Sequence, residues 1–240
     1  MSRAPAASVA WHDAENGSYD ADLFLWRELA DSAHGPILDL GAGTGRVAAD
    51  LAAHGHEVVA LDADAGLLAE LEQRAPNLAT IEADARDFEL GRSFALVIAP
   101  MQLVQILGGP DARAAMLRSV HAHLTPGGTF AAALVDLRDV ITDETPDPPL
   151  PDMLERDGWV FSSQPVSVEV DDDGLVVERH RQAVSPSGEI ESSTARDSFD
   201  YLSPDRLEAE ARAAGLEPAG RWEIPDTLDH FGSVVVTCRR

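Results

Sequence analysis

The chain has 240 residues, 45% of them hydrophobic, and a formal net charge of −24, with 18 basic residues, all arginine, against 42 acidic ones. That length suits one α/β domain carrying an insertion, while a negative field of this size repels phosphate backbones and anionic lipid and excludes nucleic acid and membrane as partners. No apolar run approaches the roughly 20 residues of a membrane span, Met1–Ala10 lacks the apolar stretch of a signal peptide, and the lone Cys238 cannot form an internal disulfide; a cytoplasmic protein is expected.

Residues 1–18 show little periodicity and are expected to form a flexible N-terminal segment. From Asp20 to Asp31, Leu23, Phe24, Trp26 and Leu29 recur at near-helical spacing, and Gly35-Pro36 stops that helix. A strand over 37–40 leads into a glycine loop, Gly41 to Gly45, and then a helix over 46–54 ended by Gly55. Strand 57–61, a helix capped by Asp64, strand 78–81 and the wholly apolar strand 94–99 follow. Pro110 opens another helix, with Met116, Leu117, Val120 and Leu124 on its inner stripe, and Pro126-Gly127-Gly128 turns into a strand over 129–135. This β-α alternation with short connections predicts a parallel sheet covered by helices on both faces.

The pattern then changes. Residues 139–153, rich in proline and acids, read as an exposed loop. Three strand-like runs, 159–170, 175–184 and 190–201, are separated by Asp171–Gly174 and Ser185–Gly188 turn chemistry and predict an antiparallel three-stranded insertion. Ser203-Pro204 starts a helix ended by Gly215, and two strands, 216–224 and 233–238, close the chain. The expected organisation is one domain of 19–138 and 202–240 with an inserted substrate or dimer subdomain at 139–201.

The chemistry concentrates in Ile37-Leu38-Asp39-Leu40-Gly41-Ala42-Gly43-Thr44-Gly45-Arg46. Glycine is needed where backbone turns sharply or a ligand comes within contact distance. Asp62 ends the next strand, where an acid can accept the two ribose hydroxyls of an adenosine, and ligands of such sheets bind outside the carboxyl ends of the strands. The spacing is G-x-G-x-G, not the dinucleotide G-x-G-x-x-G. Asp39, just before the loop, suits an ammonium and repels a phosphate.

These residues resemble the first two motifs of the class I S-adenosylmethionine-dependent methyltransferases. The resemblance continues through Asp84-Ala85-Arg86, the strand Phe94–Pro100, the turn Leu124–Gly128 and the segment Tyr201–Gly215. It implies a seven-stranded Rossmann-like sheet with a reversed C-terminal strand and S-adenosyl-L-methionine as cofactor. It also implies roles: Gly41, Ala42 and Gly43 under the methionine portion, Asp39 on its amino group, Asp62 on the ribose, and Ala63, Asp84 and Ala85 beside the adenine. Pro100 and Met101 would line the transfer site, and Tyr19 would cap the cofactor.

Two departures matter. The family's acidic residue before the fourth strand is Ala95 here, and the N/D-P-P-Y run of base methylases is replaced by Ala99-Pro100-Met101-Gln102; the latter argues against nucleic-acid bases as acceptors. The expected reaction is methyl transfer to a small-molecule acceptor by in-line displacement, in a monomer or homodimer. A cofactor-binding module without turnover and a nicotinamide oxidoreductase are the alternatives. Gln102 and Gln105 after the fourth strand, and Arg179 and Arg181 on one face of an inserted strand, are candidate acceptor contacts. His121 and His123 read as solvated helix-surface residues, no catalytic base is assigned, and no metal constellation is expected.

Overall fold

The computed structural model describes residues 7–135, 150–227 and 230–240. The chain divides into two compact units, Asp20–Asp136 with Leu202–Arg240, and Met1–Tyr19 with Leu137–Tyr201.

The larger unit is built on a seven-stranded sheet. In chain order it contains α2 (Leu23–Ser32), β1 (Ile37–Leu40), α3 (Arg46–Ala53), β2 (Val58–Asp62), α4 (Ala65–Arg74) and β3 (Ala79–Glu82). Then come β4 (Phe94–Ala99), the short α5 (Leu103–Ile106), α6 (Pro110–His123), β5 (Leu124–Leu134), α7 (Pro204–Ala213), β10 (Glu217–Ile224) and β11 (Ser233–Arg239). The strand order is β10-β11-β5-β4-β1-β2-β3. The β1–β2, β2–β3, β1–β4 and β4–β5 pairs are parallel, whereas β11 runs antiparallel to both β5 and β10. The chain therefore leaves β1 toward β2 and β3 and returns to β4 on the other side, which opens the ligand crevice of such sheets at the carboxyl ends of β1 and β4.

Strand alternation feeds two cores. Leu38, Leu40, Val59, Leu61, Val97 and Phe130 pack on one face with α6 and α7 residues such as Leu117 and Leu207. Ile37, Ala60, Leu96 and Ile98 pack on the other with Trp26, Val47, Leu51 and Leu71 from α2, α3 and α4. Gly45 lets α3 and α4 come together: its φ is +92°, and a Cβ there would stand 2.1 Å from Leu71 Cδ1. Arg113 of α6 is 1% exposed and makes a bidentate pair with Glu210 of α7 at 2.7 and 2.9 Å.

The smaller unit departs from the sequence reading in two places. Its antiparallel sheet has four strands, not three, in the order β6-β7-β8-β9, comprising β6 (Asp152–Arg156), β7 (Trp159–Val170), β8 (Gly174–Val184) and β9 (Ile190–Asp200). The extra strand β6 forms because Asp157 (φ 52°) and Gly158 (φ 78°) both occupy the left-handed region that a two-residue hairpin turn requires. The remainder of the expected loop, 139–149, lies outside the described residues. Second, the segment expected to be flexible contains a helix, α1 (Ala7–Asn16); Ala10 is fully buried and packs with Phe161 and Ala183, and Trp11 meets the Phe161 ring edge-on at 5.1 Å. Its first six residues lie outside the described ones. Among the described residues no helix is long and apolar enough to cross a membrane.

Candidate active site

The glycine loop emerges from the carboxyl end of β1. Gly41 and Gly43 hold φ values of 66° and 55°, which a side chain resists. The Ala42 amide donates to the Leu61 carbonyl at 3.0 Å, and the Gly45 amide donates to the Ala42 carbonyl at 2.9 Å. The Gly43 amide donates to Asp62 Oδ2 at 2.8 Å, while Asp62 Oδ1 accepts from the Asp64 amide at 2.9 Å. Asp62 thus ties the loop to the end of β2, and each of its oxygens keeps a second lone pair for a ligand hydroxyl.

Asp39 sits on β1, paired in register with Ala60 and Ile98. It is 1% exposed, and its Oδ1 is buried with no hydrogen-bond partner. Burial pushes its carboxyl up to about 8; the Arg46 guanidinium and the Ala48 amide oppose that rise, and the Asp62 and Asp22 carboxylates add to it. Arg46 follows the loop and is clamped by Asp22, whose Oδ1 and Oδ2 accept from its guanidinium at 2.5 and 2.8 Å. Asp22 also accepts from Trp26 Nε1 at 2.8 Å. Asp22 thus pairs directly with Arg46, while Asp39 feels the same guanidinium through space. The sequence reading missed Asp22 and Arg46, because their contact spans α2 and β1 and no local pattern announces it.

Asp84 and Ala85 follow β3. Asp84 is gripped by Arg86, whose Nε reaches the two carboxylate oxygens at 2.9 and 3.0 Å; this hydrogen-bonded pairing holds its carboxyl below the ordinary range. Ala85 is 8% exposed, and Ala63 is exposed after β2. Pro100 is buried at the end of β4. Met101 holds φ 55°, strained for a side chain, and Leu103 closes on Gly41, its Cδ1 lying 3.0 Å from where a Gly41 Cβ would be. Tyr19 belongs to the smaller unit.

Other expectations are revised. Gln105 is fully buried; its Nε2 donates to the Val135 carbonyl at 3.0 Å and its Oε1 accepts from the Val135 amide at 2.9 Å, so it secures the end of β5 rather than touching an acceptor. Gln102 is half-buried at the start of α5. Arg181 makes a bidentate pair with Glu15 at 2.7 and 2.8 Å, and Arg179 reaches Asp152 at 2.7 Å; both are engaged inside the smaller unit. His123 is not solvated. It is 7% exposed, its Nε2 accepts from the Leu90 amide at 3.0 Å, and its Nδ1 meets the Ser119 carbonyl at 2.7 Å. With Nε2 accepting from Leu90, Nδ1 is the ring nitrogen left to donate to Ser119. Among the described residues no group of acids, histidines and cysteine is arranged to hold a metal.

Residues 37–128 match a family described as a methyltransferase domain. The chain is 34% identical over 115 residues to the cypemycin N-terminal methyltransferase of a Streptomyces species, covering 45% of this chain and 46% of that one. It is 34% identical over 111 residues to the dTDP-3-amino-3,6-dideoxy-alpha-D-glucopyranose N,N-dimethyltransferase of Streptomyces fradiae, covering 42% and 44%. It spans about half the length of these curated relatives. Its fold is shared with a S-adenosylmethionine-bound amino pentose methyltransferase from Micromonospora echinaspora, with TM-score 0.70, 20% identity and 99% of each chain covered.

Proposed function

We propose that this chain transfers a methyl group from S-adenosylmethionine to a small-molecule acceptor by in-line displacement. The observation that carries the reading is Asp39, an acid buried beside the glycine loop with one oxygen facing no partner. A buried carboxyl oxygen without a partner is costly, and a ligand ammonium, which draws the group into its charged form, supplies that partner. The surplus of carboxylates over guanidinium in this corner favours a cationic ligand and opposes the pyrophosphate of a dinucleotide.

In this reading Asp39 holds the amino group, and the peptide of Gly41, Ala42 and Gly43 lies under the methionine portion. Asp62 accepts from the ribose, and Ala63, Asp84 and Ala85 flank the adenine. Pro100 and Met101 line the place of transfer. The bound cofactor supplies a sulfonium methyl whose departure leaves a neutral thioether. The protein's part is alignment and exclusion of water, which can contribute about 7–11 kcal/mol without a covalent enzyme intermediate. No general base is assigned, since the His123 ring is occupied by Leu90 and Ser119.

Calorimetric titration with S-adenosylmethionine, S-adenosylhomocysteine and NADH tests the reading. Binding of both sulfur nucleosides is expected, and preference for NADH overturns it. Incubation with S-adenosylmethionine and a metabolite extract should yield S-adenosylhomocysteine; binding without that product would make the chain a cofactor-binding module.

A further inference from the structure

Four large apolar side chains of the larger unit are exposed among its described residues: Phe24, Ile106, Trp222 and Phe231. Three of them stand at one edge of the sheet. Phe24 is in the first turn of α2, next to Asp22, which binds Arg46 directly behind the glycine loop. Ile106 ends α5, the short helix that follows β4. Phe231 precedes β11, which runs against β5, so the β10–β11 connection lies at the carboxyl end of the parallel strands. β11 is two strands from β4, about 10 Å. Trp222, by contrast, lies within β10, opposite Val235.

Phe231 is 62% exposed, between two residues whose backbone is held by hydrogen bonds. The Thr227 amide donates to the His230 carbonyl at 2.9 Å, and the His230 amide donates to Thr227 Oγ1 at 2.9 Å. The Gly232 amide donates to Asp226 Oδ1 at 2.6 Å, and a Cβ at Gly232 would stand 2.7 Å from that oxygen. Holding a phenylalanine in water costs apolar hydration that a ligand's apolar surface would relieve.

The charges at the same edge point one way. Its acids include Asp22, Asp39, Asp62, Asp84 and Asp226. Its described arginines are matched: Arg46 to Asp22 and Arg86 to Asp84. Arg239, at the far end of β11, lies at the opposite edge. A diphosphate brought here would meet carboxylates and already-paired guanidinium groups.

We infer that the acceptor has an apolar body, neutral or cationic and free of phosphate, which rests on Phe231, Ile106 and Phe24 at the carboxyl edge of the large sheet. This rests on the methyl-transfer reading for why an acceptor comes to that edge, and it separates the chain from relatives named for dTDP-linked sugars.

The test uses the full chain, Nile red as a neutral apolar probe, and thymidine diphosphate as an anionic one. Saturable Nile red fluorescence is expected, weakened about tenfold or more in the Phe231→Ser, Ile106→Ser double variant and unchanged in Trp222→Ser. Thymidine diphosphate should give no binding heat at millimolar concentration. Failure of Nile red to saturate, unchanged affinity in the double variant, equal loss in Trp222→Ser, or measurable thymidine diphosphate binding would each overturn the inference. S-adenosylhomocysteine titration of the same proteins keeps the two ideas apart. A wild-type protein that binds the dye as described but not the nucleoside would leave the apolar rim and remove the methyl-transfer reading.

Discussion

Asp39→Asn probes the electrostatics of the site most sharply. With its carboxyl pushed up to about 8 by burial, the free protein carries the neutral acid at lower pH. Docking an ammonium against Oδ1 converts it to the carboxylate and releases one proton. S-adenosylhomocysteine affinity should therefore rise about tenfold per pH unit up to about pH 8, then fall as the ligand's own amino group, with an ordinary pKa of about 8, loses its proton. A hydrogen bond involving charged groups contributes about 1.5–3 kcal/mol, so near that optimum Asn should weaken binding by about 10–150-fold. At about pH 6.5 the wild-type protein must first surrender a proton at a cost of about 2 kcal/mol, so the same substitution should there change affinity little. Calorimetry in two buffers of different ionisation enthalpy reads both quantities. A pH-independent affinity, no proton release at about pH 6.5, or an unchanged dissociation constant for the variant at the optimum would rule out Asp39 as the partner of the ammonium.

The same group governs stability in the free protein. Its folded pKa, about 8, lies above the ordinary 3.8, so between these values the folded state holds a proton that the unfolded state has lost. Its contribution is full below about pH 4 and is lost as pH rises through about 8; urea unfolding should show Asp39→Asn gaining on wild type by up to about 1.4 kcal/mol per pH unit across that window, and parallel curves would contradict it. Gly45→Ala should destabilise by more than the about 1–2 kcal/mol of a left-handed non-glycine residue, because its Cβ also meets Leu71; a melting temperature equal to wild type would count against the packing described. Arg113→Ala leaves Glu210 with Arg206, at 3.2 Å, as its remaining partner and removes the charged hydrogen bonds of a buried side chain, so about 1.5–3 kcal/mol should be lost in urea unfolding, whereas a loss below about 1 kcal/mol would make the pair a surface one. Gln105→Leu strips both backbone groups of Val135 of their partner, and a loss of about 2 kcal/mol or more is expected from the unsatisfied groups; unchanged stability would show that the Val135 amide and carbonyl find partners elsewhere.

The parallel sheet was legible because apolar strands alternate with capped helices at short range. Asp64 caps α4 by accepting from the Gly66 and Leu67 amides at 2.7 and 3.2 Å, as its position before Leu67 and Leu68 suggests. The hairpin at Asp157-Gly158 was also written in the chain, but the proline-rich stretch before it masked β6, whose core contact is a single partly buried residue, Leu154. Helix α1 was hidden for another reason. Its apolar face is short, and it is completed only when Ala10 and Trp11 meet strands from residues 159–184. At the site, Asp39, Asp62 and the glycine loop were readable because their roles depend on neighbouring backbone. The Asp22–Arg46 clamp, the Gln105–Val135 contact and the burial of His123 against Leu90 are tertiary, and periodicity along one helix cannot report them.

The most direct measurement is a crystal structure of the complex with S-adenosylhomocysteine. Its amino nitrogen is expected about 3 Å from Asp39 Oδ1, the usual hydrogen-bond length, with the ribose hydroxyls at Asp62. A nucleoside bound away from the carboxyl ends of β1 and β2, or an Asp39 Oδ1 still without a hydrogen-bond partner, would overturn the assignment.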